Sequence, residues 1–403
     1  MLNIFPMNNA VQEYTWGSRT FIPEMMGLPS PSKMPQAELW MGAHPKAPSV
    51  MIANGKKIPL PELIQGDPRD ILGEATARKF SNTLPFLFKI LAVERPLSIQ
   101  AHPNREQAVR GFKRENGLKI PLDAPRRNYR DQNHKPELLC ALTPFQALIG
   151  FKSPDRILVD FQKVPVPALA NEIEAFAGKP DKKGFERFFT TLMSMDRDKQ
   201  ARIVSQTAAL CENADPLDPP LQRVIALHHE YPFDVGVLSP LFLHAVTLEP
   251  EEALFIPPGT LHAYLEGAGV ELMANSDNVL RCGLTPKNMD IAGLLDILDW
   301  EPHTLQILRP ERRPNGEQVY PTFAEEFRLS VIKPVTGEVF ENTSEGAVEI
   351  VIVVKGHAVV IEKKTGQRLP LPQGTAILIP ASVPRYTMTG DAILYKASVP
   401  PQG

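Results

Sequence analysis

At 403 residues, 43% of them hydrophobic, the chain is too long for one ordinary core and is expected to divide into two or three domains. Its 43 Lys and Arg against 46 Asp and Glu leave a formal charge of −3, which excludes the basic footprint of a nucleic-acid or membrane-surface binder. The 41 prolines, about twice the usual share, argue against a mostly helical protein and for short strands and ordered loops.

The first residues, "MLNIFPMNNAVQEYTWGSR", lack a basic segment followed by an apolar one, and later apolar stretches are only strand length or are broken by Lys89. Cys140, Cys211 and Cys282 form no CxxC, so neither a disulfide framework nor a cysteine zinc site is indicated. A cytoplasmic monomer acting on a small molecule is the expectation. Up to about Gly150, strands are predicted in "AELWMGAHP", "LPFLFKILAV", "PLSIQAHP" and "HKPELLCAL", with helices near Pro61 to Phe80 and Arg105 to Asn116.

In "PLSIQAHPN" the period of two puts Ser98, Gln100 and His102 on one strand face and Leu97, Ile99 and Ala101 on the other. A hydroxyl, an amide oxygen and an imidazole aimed one way look like part of a site. Shortly after, "NHKPELL" offers Glu137, with Lys135 on the same face if the stretch is extended. Residues 153–231 carry apolar residues at helical spacing and read as a helical insertion. Strands return from 232 to about Cys282, followed by a connecting helix in "MDIAGLLDILDW" and further strands from about Tyr320.

Two of the later stretches match each other. "ALFIPPGTLHAYLEG" and "AILIPASVPRYTMTG" align so that Pro257 and His262 meet Pro380 and Arg385, an internal repeat whose second copy has lost the histidine. The Pro257, Gly259, His262 turn among strands resembles the cupin jelly roll. The predicted fold is therefore mainly β with a helical insertion: a metal-binding jelly-roll barrel (1–152 and 232–300), a helical domain (153–231) and a degenerate, metal-free C-terminal barrel (301–403). His357 finds no partner at ligand spacing, so one metal per chain is expected.

Gln100, His102, Glu137 and His262 form a mixed N/O set that suits zinc or another divalent first-row metal. With one anionic ligand, the ion keeps a positive charge that can polarise a substrate oxygen. His44, His228, His229, His244, His303 and His357 read as ordinary strand or surface residues, with His44 of "WMGAHP" the one that could pack near the site.

The segments "AVQEYTWGS", "AELWMGAHP", "LPFLFKIL", "PLSIQAHPN", "NHKPELLCALTPF", "HAYLEG" and "ELMANSDNVLRCGLTPK" resemble type I mannose-6-phosphate isomerases of the bacterial form. The resemblance spans Ala10 to Lys287 and is weaker beyond. It implies a zinc-dependent aldose–ketose isomerase acting between D-mannose 6-phosphate and D-fructose 6-phosphate through a cis-enediol(ate). The family's zinc ligands fall here on Gln100, His102, Glu137 and His262. Ala101 and Cys282 depart from many relatives without removing a functional group, and Cys282 is expected in the core.

Such a reaction needs a base outside the metal's ligands, and "AGVELMANSDN" offers Glu271 and Asp277. Glu271 is preferred, because its apolar strand would raise its pKa; the resemblance supports it, with Asp277 a rival that could assist ring opening. Arg281, Lys287 and Ser98 are expected to hold the phosphate, and the resemblance also gives Arg281 a catalytic assignment. Lys135 is placed at the substrate oxygen that gains charge, with Lys89 and His134 as further members of that wall.

Overall fold

The computed structural model describes residues 4–53, 55–215, 217–287, 289–343 and 346–401. Within them the chain builds a ten-stranded and an eleven-stranded sheet, antiparallel at every recorded pairing, with helices between 154 and 230.

The strand Phe86–Val93 explains how the two sheets meet. It is buried along its whole length, as a strand covered on both faces must be. Phe86, Phe88, Ile90 and Ala92 pack into one cluster with Leu329, Ile350 and Leu378 of the other sheet. Each such fully buried large side chain contributes about 1.5–3 kcal/mol, so this seam binds the two sheets firmly. The opposite face, with Leu91 and Val93, looks into the first sheet's interior, and Lys89 lies on it. A second cluster joins Ile99, Leu148 and Leu261 to the helical segment through Phe161, Phe185 and Leu227.

The helices start where side chains satisfy their first N–H groups. Ser153, Asp181, Asp196 and Asp218 each cap a helix of the inserted segment, a bond worth about 1 kcal/mol. Asn104 and Gln107 form a reciprocal capping box at the start of Arg105–Gly117. That cap, with Pro103 before it, stops the preceding strand at Ala101, so Ile99–Ala101 is shorter than its alternation suggests. The helical stretch expected near 61–80 is three short helices, Leu60–Gly66, Pro68–Leu72 and Glu74–Lys79. Pro68 and Gly73, at φ +88°, interrupt it.

The first boundary of the sequence-based division shifts. Residues 1–152 were assigned whole to the metal-binding unit, yet Phe5–Asn8 pairs with Ala376–Ile379, and Val50–Ala53 and Lys56–Pro59 extend the same sheet. The edge of Ala376–Ile379 needs a partner for its backbone groups, and the chain's first strand supplies it. The internal repeat has a structural counterpart: Ala253–Ile256 and Ala376–Ile379 are followed by five-residue turns and by the long strands His262–Ala274 and Arg385–Ser398. The turns share a hydrogen bond, Thr260 N to Pro257 O and Val383 N to Pro380 O. Among the described residues, no helix is long and apolar enough to cross a membrane.

Candidate active site

His262–Ala274 is the strand on which the site is built. Its first residues pair with Phe145–Phe151 and, at His262, with Gln100; its second half lies between Phe86–Val93 and Glu137–Ala141. His262 and Glu271 are an odd number apart, which in a regular strand would point them to opposite faces. The register slips between Tyr264 and Glu266, and Gly267 follows at φ +121°. This bulge inserts one extra residue and restores Glu271 to the face of His262. Only glycine fits there: a Cβ on Gly267 would lie 2.6 Å from Pro144 O.

His102, Glu137 and His262 converge, all about 1% exposed. The Nε2 of His102 lies 3.3 Å from Glu137 Oε1, and the Nε2 of His262 lies 3.3 Å from Oε2. The two Nε2 atoms and Glu137 Oε2 are buried without a hydrogen-bond partner, an arrangement native proteins rarely leave uncompensated. One ligand atom from each residue lies within 4.8 Å of the others, close enough for a single ion with bonds of about 2.0–2.1 Å to be reached by all three. Each ring is fixed from behind, His102 Nδ1 on Asn278 O at 2.7 Å and His262 Nδ1 on Thr260 O at 3.0 Å, which leaves Nε2 as the inward lone pair. Burial and the nearby Lys135 lower His102 to about 4, so it is neutral, as a ligand must be. Burial pushes Glu137 up, but Lys135, 2.9 Å away, outweighs it and holds the carboxyl ionised. Gln100 lies across the ladder from both His262 and Arg281 and lines the adjoining cavity with Ser98 and Glu137.

That cavity measures about 720 Å³, within the usual range for small-molecule sites. Glu271 is on its wall, 4% exposed, with Lys89 Nζ 2.8 Å away on the paired strand. Lys89 also faces Glu38 at 3.5 Å and lies over the Trp40 ring at 5.6 Å, and Trp40 Nε1 donates to Glu38. Burial raises the pKa of Glu271 and Lys89 opposes that rise. Tyr264 lines the same wall; burial and then the Glu137 and Glu271 carboxylates hold its phenol well above the ordinary range, so it stays protonated.

Arg281, Lys287 and Arg130 share another part of the wall. Burial and then Arg130 lower Arg281, and burial, Arg281 and Arg130 lower Lys287. None of the three has a carboxylate within ion-pair distance among the described residues, so like charges are crowded where an anion would relieve them. Asp277 sits at the cavity with Lys46 at 2.7 Å and His44 at 3.4 Å; burial pushes it up, but these two partners hold it well below the usual carboxylate range. Glu271 is thus the more easily protonated of the two.

His134 is not on this wall. Its Nε2 meets Glu326 at 2.7 Å, toward the C-terminal sheet, because Lys135 and Glu137 take the inward side of that segment. Cys282 is buried in the core against Met193. Lys89 was read only as a wall residue, and Glu38, Trp40, Arg130 and Tyr264 were not singled out. For Lys89 a signal existed: a lysine in the middle of "LPFLFKILAV" needs a buried counter-charge.

The family description "Phosphomannose isomerase type I, catalytic domain" matches residues 4–154. The chain is 39% identical over 388 residues to the mannose-6-phosphate isomerase of Salmonella typhimurium, covering 96% of this chain and 97% of that one. It is 32% identical to the human protein of the same name, covering 98% of each. Among solved structures it is similar to the Salmonella typhimurium enzyme bound to fructose 6-phosphate and zinc, with a TM-score of 0.91, 37% identity, and 98% and 99% of the two chains covered. A zinc-bound holo structure of mannose 6-phosphate isomerase gives the same TM-score at 36% identity, again with 98% and 99% covered.

Proposed function

The chain belongs to the type I phosphomannose isomerase family, and we infer that it interconverts D-mannose 6-phosphate and D-fructose 6-phosphate with one zinc ion per chain. The observation that carries this reading is the convergence of His102, Glu137 and His262, with orphaned donor atoms, beside a cavity whose other wall is cationic. In our reading Gln100 completes the ligand set. Zinc bound there supplies a Lewis acid that polarises the substrate carbonyl.

The rest falls to side chains. Arg281 and Lys287, with Ser98, hold the phosphate dianion; their mutual crowding with Arg130 is relieved when it binds. Asp277, ionised between His44 and Lys46, assists opening of the sugar ring. Glu271 then takes the proton from C2 of the open aldose as the C1 oxygen gains charge; the O2 hydroxyl proton passes to O1 in the cis-enediol(ate), and Glu271 returns its proton to C1 as the C2 carbonyl forms, giving the ketose. Lys135 donates a hydrogen bond to the oxygen that gains charge. Lys89 keeps Glu271 ionised enough to act as a base despite its burial.

Both sheets are read as cupin-type jelly-roll barrels, supported by the repeated strand, turn and long-strand unit. The division adopted is a catalytic barrel within 1–152 and 232–300, a helical unit at 153–231 and a metal-free C-terminal barrel at 301–403 that takes in the strands Phe5–Asn8, Val50–Ala53 and Lys56–Pro59. Three buried free cysteines suit a reducing cytoplasm, and a site assembled within one chain suits a monomer. A redox cupin with iron would call for an apolar pocket in place of Arg130, Arg281 and Lys287.

The test joins metal analysis of purified protein to a coupled assay for fructose 6-phosphate formed from mannose 6-phosphate. One zinc per chain with isomerisation is expected; protein that binds no zinc, or turns over only without it, overturns the reading.

A further inference from the structure

Between the end of His262–Ala274 and the start of Leu280–Gly283 the chain makes a short turn that belongs to no strand. This turn does two jobs for the site: it presents the Asp277 side chain to the cavity, and it supplies Asn278 O to His102 Nδ1 at 2.7 Å. No sheet ladder holds residues 275–279 in place. Backbone bonds tie its ends, Asn275 N to Pro85 O and Val279 N to Asn128 O, and its middle is gathered by one carboxylate that does not line the cavity, Asp131.

The two oxygens of Asp131 have different tasks. Oδ2 accepts Asp277 N at 2.8 Å. Oδ1 accepts Ser276 Oγ at 2.8 Å, Asn133 N at 2.9 Å and Asn278 Nδ2 at 3.2 Å. The fully buried Asn278 locks back onto the same segment: its Oδ1 accepts Arg130 N at 2.6 Å and Asp131 N at 3.2 Å, and its Nδ2 also donates to Asp131 O at 3.0 Å and Asn133 O at 2.9 Å. One face of the turn fixes the carbonyl behind the zinc ligand, and the other fixes the backbone of Asp277.

We propose that Asp131 is a positioning residue that sets two parts of the site at once, the orientation of His102 through Asn278 and the placement of Asp277 through its backbone N–H. The inference rests on the zinc reading of His102. A carboxylate is needed because every one of these partners donates, and a carboxylate only accepts. An asparagine in its place has one accepting oxygen. If that oxygen keeps the Oδ1 role, the amide NH₂ faces Asp277 N–H, donor against donor, and the Asp277 half alone is lost. Alanine loses both halves.

The experiment measures zinc affinity by competition with a chromogenic chelator, kcat and KM at saturating zinc, and apo-protein melting for the parent, Asp131→Ala and Asp131→Asn. For Asp131→Ala, zinc affinity falls by about 10-fold, the low end of the roughly 10–100-fold seen on losing a ligand's own hydrogen-bond partner, because Asn278 O remains and only its anchor is weakened, and kcat stays low when zinc is saturating. For Asp131→Asn, zinc affinity returns to within a few-fold of the parent while kcat stays depressed with KM little changed. A parent that binds no zinc defeats the zinc reading itself. A zinc-binding parent whose Ala variant binds zinc equally well defeats only this inference. If the Ala variant does not fold, the Asn variant decides alone: full kcat, or a loss of zinc affinity equal to its loss of kcat, overturns the two-part role.

Discussion

Replacing Glu271 with Gln separates catalysis from binding. Gln has the size of Glu, so the wall beside Lys89, Trp40 and Tyr264 keeps its shape while the base is removed. Zinc content is expected to be unchanged, because Glu271 is not among the atoms that converge at His102, Glu137 and His262. Breaking a buried ion pair by removing one charge costs roughly 3–5 kcal/mol. Here Lys89 keeps Glu38 at 3.5 Å and the Trp40 face, and the Gln oxygen still accepts from Nζ, so the stability loss should fall nearer the roughly 1–3 kcal/mol of a lost charged hydrogen bond. The kinetic loss is larger: a positioned acid–base group is worth about 10²–10⁴-fold in kcat, or about 2.7–5.4 kcal/mol of barrier. The assay is coupled turnover at saturating zinc, with a substrate analogue titrated to show that binding survives. In the parent, deuterium at C2 should exchange partly with solvent, since the proton passes through a carboxylate. A Gln variant with near-normal turnover would refute the reasoning and move the search to Asp277 or Lys135.

Lys89→Met removes the charge that opposes burial, so the pKa of Glu271 rises further; activity that is lost as pH falls through that pKa should be lost at a higher pH, visible as an upward shift of the acid limb of kcat/KM. No shift would mean that Glu271 is not the titrating base. His102→Ala or His262→Ala should release zinc and abolish isomerisation together, since three ligands leave an incomplete shell; metal loss with full activity would end the metal-assisted reading. Arg281→Ala and Lys287→Ala should leave zinc bound and weaken use of mannose 6-phosphate, and equal losses on free mannose would show that they do not read the phosphate.

Much of the site was legible because its chemistry is local in sequence. The Q-x-H strand, the H-K-P-E segment and the P-x-G-x-x-H turn each announce themselves through side chains that a strand has no structural reason to carry together. What was not legible depends on register. Gly267 in "HAYLEGAGVELMA" can signal a bulge but not its register; strict alternation would turn Glu271 into the apolar seam and Val270 and Leu272 out of it. Nor does the sequence say that Phe5–Asn8 crosses to the C-terminal sheet, since its pairing with Ala376–Ile379 spans nearly the whole chain. Asp131 looks like any loop aspartate until its four donors are seen.

The two sheets show why residue type alone could not tell a metal-binding cluster from a structural one. Each buries a lysine between two glutamates: Lys89 with Glu271 and Glu38, and Lys396 with Glu317 at 2.9 Å and Glu349 at 3.1 Å. In the C-terminal sheet neighbours add to this pair, Ser330 Oγ on Glu317 and both Tyr386 OH and Asn342 Nδ2 on Glu349. In the first sheet, next to the lysine pair, His102 Nε2, His262 Nε2 and Glu137 Oε2 are held rigidly and left without partners. A lysine neutralised by two carboxylates with hydroxyl and amide partners presents no converging imidazoles to a cation. Unsatisfied donor atoms gathered within 4.8 Å gain by binding a cation, and the Lys89–Glu271 pair beside them then serves to hold a base. The difference is one of hydrogen-bond completeness, which composition and spacing do not encode and packing does.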